Sequence, residues 1–202
     1  ARSSFEHQVR HVHVDPRIRE QEFGNLQGDD FKKFREEQQQ VGRFFYRFPT
    51  GESGGDVYDR TVSWWQNLIH KINDNPTRER VDTVLVFTHG LTIRFILMQL
   101  YSWSPQTFHT VWNGRNCAMY VLKKDLSSNE TYPYKLDPNE GDMPESTAEL
   151  HLKLKNDETK VVVLKDYLSV PPPRTRRHDV VAKMIHDQHG IHPSTIESID
   201  FF

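Results

Sequence analysis

The sequence predicts an α/β sandwich with a mostly parallel sheet, and three consecutive segments carry this prediction. An uninterrupted apolar run at 84–87 is typical of a strand that is buried on both faces, as strands of parallel sheets are. The run passes through Thr88, His89 and Gly90 directly into an amphipathic helix, and another strand-like segment follows at 116–125. Strand, tight turn, helix and strand is the order in which parallel strands are connected.

The other elements are predicted from the spacing of apolar residues. The clearest is a long helix, because Val57, Trp64, Leu68 and Ile72 recur at helical spacing behind an acidic first turn. We expect this long helix within 49–75, a short helix and loop at 29–48, and further helices at 91–103, 104–112 and 178–190. Strands are expected at 8–15, 82–90, 116–125, 149–154 and 161–170. Extended polyproline is expected at 171–177, and an exposed tail follows the last helix.

Composition limits the classes of protein to which the chain can belong. The 202 residues, 36% hydrophobic and 27% charged, suit one globular domain with an appendage. The net charge of −2 argues against nucleic-acid binding, and no apolar run is long enough to cross a membrane. A single cysteine, Cys117, excludes an internal disulfide and favours a reducing, cytoplasmic location. We expect a main domain at 1–125, a polar insertion or lid at 126–160, and a C-terminal strand and docking tail at 161–202.

The end of the apolar strand is the strongest candidate for a functional site. His89 lies at the carboxyl edge of the predicted sheet, where open α/β folds bind ligands. The first N–H groups of the next helix face the same edge and favour an anion. Gly90 permits close approach of the backbone, and Arg94 lies about one turn further on, within reach of a phosphate. A histidine that only caps or packs at the strand end is the alternative.

Two polar segments upstream have both structural and functional interpretations. The segment at 15–30 carries both charge signs, including Glu20 and Glu22, and by itself is typical of a solvated turn. The glycine-rich segment at 49–60 places Glu52 and Ser53 before a helix, which by itself indicates a helix cap.

Two histidine groups are weighed as metal sites and rejected. His11 and His13 share one face of a predicted strand, and the segment at 186–192 holds three histidines. Neither group has a carboxylate or cysteine placed to complete a ligand set, so we expect no metal.

Three motifs occur in order along the chain: DPRIREQEFGNLQG at 15–28, YRFPTGES followed by DVYDR at 46–60, and VFTHGLTIRF at 86–95. Together they resemble the histidine phosphatase superfamily, in its phosphoglycerate-mutase-like branch. Their wording is most similar to that of the plant and fungal phosphoglycerate-mutase-like phosphatases, and the resemblance covers residues 1 to about 125. It implies a three-layer α/β/α sandwich with a mostly parallel sheet.

The resemblance also implies roles for individual residues. Glu20 matches the carboxyl group that protonates the leaving oxygen, and His89 matches the second histidine, which supports the phosphoryl oxygens during transfer. The substrate-binding positions that it implies are Gly90, Leu91, Arg94, Glu52, Ser53 and Asn116. It implies no metal and no cofactor, because histidine and arginine groups supply the positive field.

One departure from the family pattern affects the covalent step. The nucleophile of the family is a histidine in an R-H-G motif, and the printed sequence contains no R-H-G motif. The RHV at 10–12 imitates it but lies directly before the Glu20 turn, so we reject His11 as the nucleophile. We expect the sequence to be a fragment of a longer enzyme; a degenerate, non-catalytic relative is the alternative.

The expected function is that of a phosphomonoesterase that acts on a small phosphorylated substrate or releases inorganic phosphate. Leu91 and Thr92 stand where mutases carry a more polar pair, which favours a phosphatase over a phosphoglycerate mutase. A sugar-bisphosphatase is a further alternative, although Gly54 replaces the tyrosine usual in that family. A pseudo-phosphatase binding module is the non-enzyme alternative. We expect no nucleic-acid or membrane partner, a protein partner at the Pro/Arg segment 170–177, and a homodimer as an option.

Overall fold

The computed structural model describes residues 9, 11–26, 31–73, 83–127, 133–165 and 178–201. Its helices are α1 (Phe31–Val41), α2 (Gly54–Asn73), α3 (Gly90–Tyr101), α4 (Pro105–His109) and α5 (His178–His189). Short 3₁₀ turns lie at Pro16–Ile18, Gly24–Leu26 and Pro193–Thr195. The five helices predicted from apolar spacing are therefore confirmed; four of them lie within the predicted bounds, and α3 begins one residue earlier than predicted, at Gly90.

Helix α2 begins where the sequence places a cap. The hydroxyl of Ser53 accepts the Asp56 N–H at 3.2 Å, and the Asp56 carboxylate accepts the Ser53 N–H at 2.7 Å. This reciprocal pair satisfies N–H groups that have no partner within the helix. Val57, Trp64 and Ile69 are buried on one face of α2, which packs against α3.

The strands of the described residues pair only in the antiparallel sense. β1 (Tyr120–Lys124) pairs with β2 (Tyr134–Gly141) in one sheet. In a second sheet β3 (Thr147–Leu154) lies between β4 (Thr159–Lys165) and β5 (Ile196–Phe201). The predicted three-layer α/β/α sandwich with a mostly parallel sheet is therefore wrong for this part of the chain. Only four residues separate β3 from β4 and only nine separate β1 from β2, whereas parallel neighbours need a connection of about a dozen residues or more.

The apolar segment before α3 is not a strand. Residues 83–89 carry no ladder pairing, and Val84, Leu85 and Phe87 are exposed by 43%, 52% and 61%. An uninterrupted apolar run predicts burial between neighbours but does not say which segments supply them. No strand among the described residues forms a backbone ladder with this run, so the prediction of a buried parallel strand is wrong here.

The structure changes some of the remaining expectations, confirms others and leaves one open. Residues 11–15 are not a strand, and Val12 and Val14 are exposed. The expected tail forms β5, and the expected lid holds β2 and β3. The predicted strands at 116–125, 149–154 and 161–170 correspond to β1, β3 and β4. The polyproline segment at 171–177 lies outside the described residues.

One hydrophobic core joins the helices to the C-terminal strands. Phe95 of α3 is fully buried and stacks on Phe108 of α4, with ring centroids 4.7 Å apart. The same cluster continues through Leu150 and Leu164 in the second sheet and Ile185 of α5, all fully buried. Helix α5 therefore covers the inner face of this sheet. No helix in these ranges is long and apolar enough to cross a membrane.

Candidate active site

The turn at 15–22 is held against helices α2 and α3. Arg60 of α2 donates to the carbonyl oxygens of Arg17 at 2.6 Å, Arg19 at 2.9 Å and Glu20 at 3.1 Å. From the segment before α3, the Thr88 hydroxyl donates to the Ile18 carbonyl at 2.7 Å. The path of this polar turn is thus fixed by side chains from two separate parts of the chain.

Glu52 lies at the centre of the same arrangement. Its carboxylate accepts two hydrogen bonds from Arg60, at 2.9 and 3.0 Å, and one from Arg19 at 2.9 Å. It also accepts the Glu22 N–H at 2.9 Å. Burial opposes ionisation of this carboxyl, but the hydrogen bonds and charges of its partners prevail and lower the pKa of Glu52. The carboxylate is therefore charged and engaged within the protein.

The turn brings Glu20 to His89. The Glu20 Oε2 atom lies 3.4 Å from the His89 Nδ1 atom, and both side chains are about half exposed. The Glu20 Oε1 atom accepts the Gln21 N–H at 2.9 Å, which orients the carboxyl group. His89 is the residue immediately before α3, and its carbonyl accepts the Ile93 N–H at 3.0 Å. A carboxyl and an imidazole thus meet at the N-terminus of a twelve-residue helix, facing solvent.

Arg94 of α3 is buried, and its terminal nitrogens are engaged within the protein. Its two terminal nitrogens donate to the Phe108 carbonyl at 2.7 Å and to the Asn113 side-chain oxygen at 3.2 Å. Among the described residues its Nε atom has no hydrogen-bond partner, and no carboxylate forms an ion pair with it. Burial, followed by the charge of Arg43, lowers the pKa of Arg94 to about 9, so it remains a cation at neutral pH.

Arg43 and His109 extend the positive side of the site. Burial is the main cause that lowers the pKa of Arg43, and the nearby Glu20 carboxylate opposes this change only in part. Burial and then the charges of Arg94 and Arg43 lower the pKa of His109. The His109 Nε2 atom accepts the Phe44 N–H at 3.1 Å, which suits a neutral imidazole. Two arginines therefore add positive charge near the Glu20 carboxyl and the start of α3.

The structure separates the predicted substrate-binding residues into distinct surroundings. Glu20, His89 and Gly90 meet at the start of α3, whereas the Leu91 side chain is buried in the core. Ser53 caps α2, and Asn116 lies exposed in the turn before β1. No contact joins Asn116 to Glu20 or His89 among the contacts recorded for the described residues. The substrate-binding roles of these residues stay predictions.

Sequence reasoning missed Arg43, Arg60, His109 and Asn113. Arg60 follows Ser53 by seven residues and reads as a charged position on a solvated helix face. Asn113 lies so close to Gly90 that a β-carbon there would be 3.1 Å from its side chain. A signal was present for Arg60, since a positive residue two turns into a helix can reach back to a carboxylate at the N-terminus. The sequence contains no comparable signal for Arg43, His109 or Asn113.

From the sequence, two groups of histidines were considered as metal ligands, and no metal was expected at either. Within the described ranges, no group of three or more histidine, cysteine, aspartate or glutamate side chains is arranged to hold a metal ion. The His186 and His192 rings meet edge to face at 5.8 Å, and His189 contacts the Val163 carbonyl at 3.0 Å instead. His11 and His13 are exposed.

The family model of the histidine phosphatase superfamily (branch 1) matches residues 1–131. The chain belongs to this superfamily. The match includes the Glu20 turn, the Glu52 loop and the His89 segment, so the site lies inside the family region.

Curated relatives of this chain carry names of more than one kind of protein. A broad-range acid phosphatase of Saccharomyces cerevisiae is 38% identical over 119 residues, which is 58% of this chain and 36% of the relative. A phosphoglycerate mutase-like protein of Arabidopsis thaliana is 36% identical over 127 residues, 60% of this chain and 44% of the relative. A 2,3-bisphosphoglycerate-dependent phosphoglycerate mutase of Brucella melitensis is 28% identical over 127 residues, 61% and 54% of the two chains. The chain thus spans about a third to a half of the relatives' lengths.

Proposed function

We propose that the protein is a phosphatase that hydrolyses a small phosphomonoester through a phosphohistidine. The observation that carries this proposal is the 3.4 Å approach of the Glu20 carboxyl to the His89 imidazole at the start of α3. A carboxyl can donate a proton to a leaving oxygen, and an imidazole beside free helix N–H groups can stabilise phosphoryl oxygens. Membership of the superfamily and similarity to an acid phosphatase support the same conclusion.

In the first step a histidine nitrogen forms a bond to phosphorus while the bond from phosphorus to the leaving oxygen breaks. Glu20 gives its proton to that oxygen, so the product leaves as an alcohol. The attacking histidine belongs to the R-H-G motif of the family, which the printed sequence does not contain. We therefore assign the complete reaction to the whole protein.

In the second step water attacks phosphorus, the bond from phosphorus to histidine breaks, and the water proton passes to the Glu20 carboxylate. His89 and the first N–H groups of α3 stabilise the negative charge on the phosphoryl oxygens in both steps. The buried charge of Arg94 and the half-buried charge of Arg43 add a positive field from behind. These groups supply stabilisation of the kind that metals provide in other phosphatases.

A steady-state phosphate-release assay of the whole protein with an alkyl phosphate such as glycerol 2-phosphate tests the proposal, because an alcohol needs the proton of a general acid in order to leave. Glu20→Gln should lower kcat by about 10²- to 10⁴-fold, since the general acid is removed while the shape of the side chain is kept. Glu22→Gln is the matched control, because Glu22 is the neighbouring exposed carboxylate, and it should retain near-normal kcat. Equal kcat in the wild type and Glu20→Gln would refute the role of Glu20.

A phosphoglycerate mutase is the second candidate, favoured by the Brucella relative. The two activities are separated by supplying 3-phosphoglycerate with 2,3-bisphosphoglycerate and following both released phosphate and isomerised product. Isomerisation much faster than phosphate release would favour the mutase. A wild type that binds vanadate but catalyses neither reaction would favour a pseudo-phosphatase binding module.

A further inference from the structure

The ion pair between Arg60 and Glu52 is placed to control where the Glu20 carboxyl lies. The Arg60 Nε and one terminal nitrogen bind the two Glu52 oxygens at 2.9 and 3.0 Å, a two-point contact between planar groups. The two side chains are only 12% and 16% exposed. Water and salt therefore screen this pair less than they would screen an ion pair on the open surface.

The pair forms hydrogen bonds with the main chain on both sides of Glu20. Arg60 donates to the carbonyl oxygens of Arg17, Arg19 and Glu20, and Glu52 accepts the N–H of Glu22. The Glu20 side chain itself is left out of these contacts and faces His89. The pair thus fixes the backbone that carries the carboxyl without engaging the carboxyl.

We propose that Arg60 and Glu52 are positioning residues that hold the Glu20 carboxyl at its reacting distance, an inference that rests on the proposed phosphatase function. Only arginine suits this position, because its planar fork of five N–H donors can serve a carboxylate and three carbonyls together. A lysine ammonium has three donors around one nitrogen and cannot span these acceptors. The assignment also gives Glu52 a role different from direct substrate binding.

The test compares Arg60→Lys and Glu52→Gln with wild type in the whole protein. Each variant should lower kcat for an alkyl phosphate such as glycerol 2-phosphate by about 10- to 100-fold with little change in KM, because a general acid displaced by about 1 Å loses that much. The double variant should lose no more than the worse single variant, since both changes break one arrangement. Arg47→Lys is the matched control and should keep wild-type kcat, because Arg47 pairs with Asp56 and does not contact the turn.

Hydrogen–deuterium exchange of the 17–22 segment supplies a readout that does not depend on activity. Exchange should rise at least about tenfold in Arg60→Lys and Glu52→Gln but not in Arg47→Lys, while the urea midpoint shows that each variant is folded. Faster exchange with unchanged kcat would overturn the positioning role. A raised KM in Glu52→Gln with unchanged kcat and exchange would overturn it in favour of substrate binding.

The two proposals fail in different ways. If the wild type shows no phosphatase activity, the proposed function fails, while the exchange measurement still decides whether the pair holds the turn. If the wild type is active and both variants remain fully active, the positioning role fails alone.

Discussion

Replacement of Phe95 by alanine should destabilise the whole chain. The side chain is fully buried; its ring stacks on Phe108 at 4.7 Å and meets Tyr58 and Phe44 edge-on at 5.8 and 6.0 Å. Loss of the ring removes buried apolar surface and leaves a cavity among three aromatic side chains, which costs about 3–5 kcal/mol. Because domains are stable by only about 5–15 kcal/mol, this is a large part of the total.

Urea unfolding followed by tryptophan fluorescence measures this change, since Trp64, Trp65 and Trp103 are buried in the same core. Phe45→Ala is the control: this nearby phenylalanine is 55% exposed and its loss should cost less than about 1 kcal/mol. A loss below about 1 kcal/mol for Phe95→Ala, or equal losses for the two variants, would refute the position of Phe95 at the centre of the core.

Two further predictions concern the cap of α2 and the C-terminal sheet. The hydrogen bond from Arg47 is the main cause that lowers the pKa of Asp56 to about 2, so its stabilisation is present above about pH 4 and is lost as the pH falls toward 2. Asp56→Asn should therefore lose about 1 kcal/mol at pH 7, a modest figure because the pair is exposed, and should converge with the wild type near pH 2 in urea titrations. Leu150→Ala should cost about 2–5 kcal/mol and shift the Trp fluorescence and circular dichroism transitions together, whereas separate transitions would show that the sheet is not part of the common core.

The helices could be predicted from the sequence because their signals are local. The apolar positions of α2 recur at helical spacing, and Ser53 and Asp56 stand three residues apart at its start. Periodicity and capping depend only on neighbours within one or two turns, so the surrounding fold does not alter them. The bounds of α2 and α3 accordingly follow the predicted segments closely.

Strand pairing could not be predicted because it depends on partners far along the chain. The run at 84–87 has the composition of a buried strand, yet Val84 and Leu85 are exposed. Conversely β2 includes Pro138 and several polar residues that are typical of a loop. Proline is acceptable there because β2 pairs on one side only, with β1, among the described strands.

The reacting residues of the candidate site were predicted from the sequence, but the residues that hold them in place were not. Glu20 and His89, which lie far apart in the sequence, were identified from motif resemblance and meet at 3.4 Å. The contacts that bring them together come from Arg60 and Thr88, whose role follows from tertiary geometry alone. A motif thus indicates reacting groups, while the side chains that aim them are visible only in the folded chain.

The central place of β3 has a consequence for synthesis on the ribosome. Its two hydrogen-bonding partners lie on the C-terminal side, β4 close by and β5 only at Ile196–Phe201. At about 5–20 residues per second, β5 is made roughly 2–9 s after β3. During that interval the nascent chain presents one open edge of β3, the kind of surface on which newly made chains associate wrongly. A holdase that covers this edge should therefore raise the yield of folded protein.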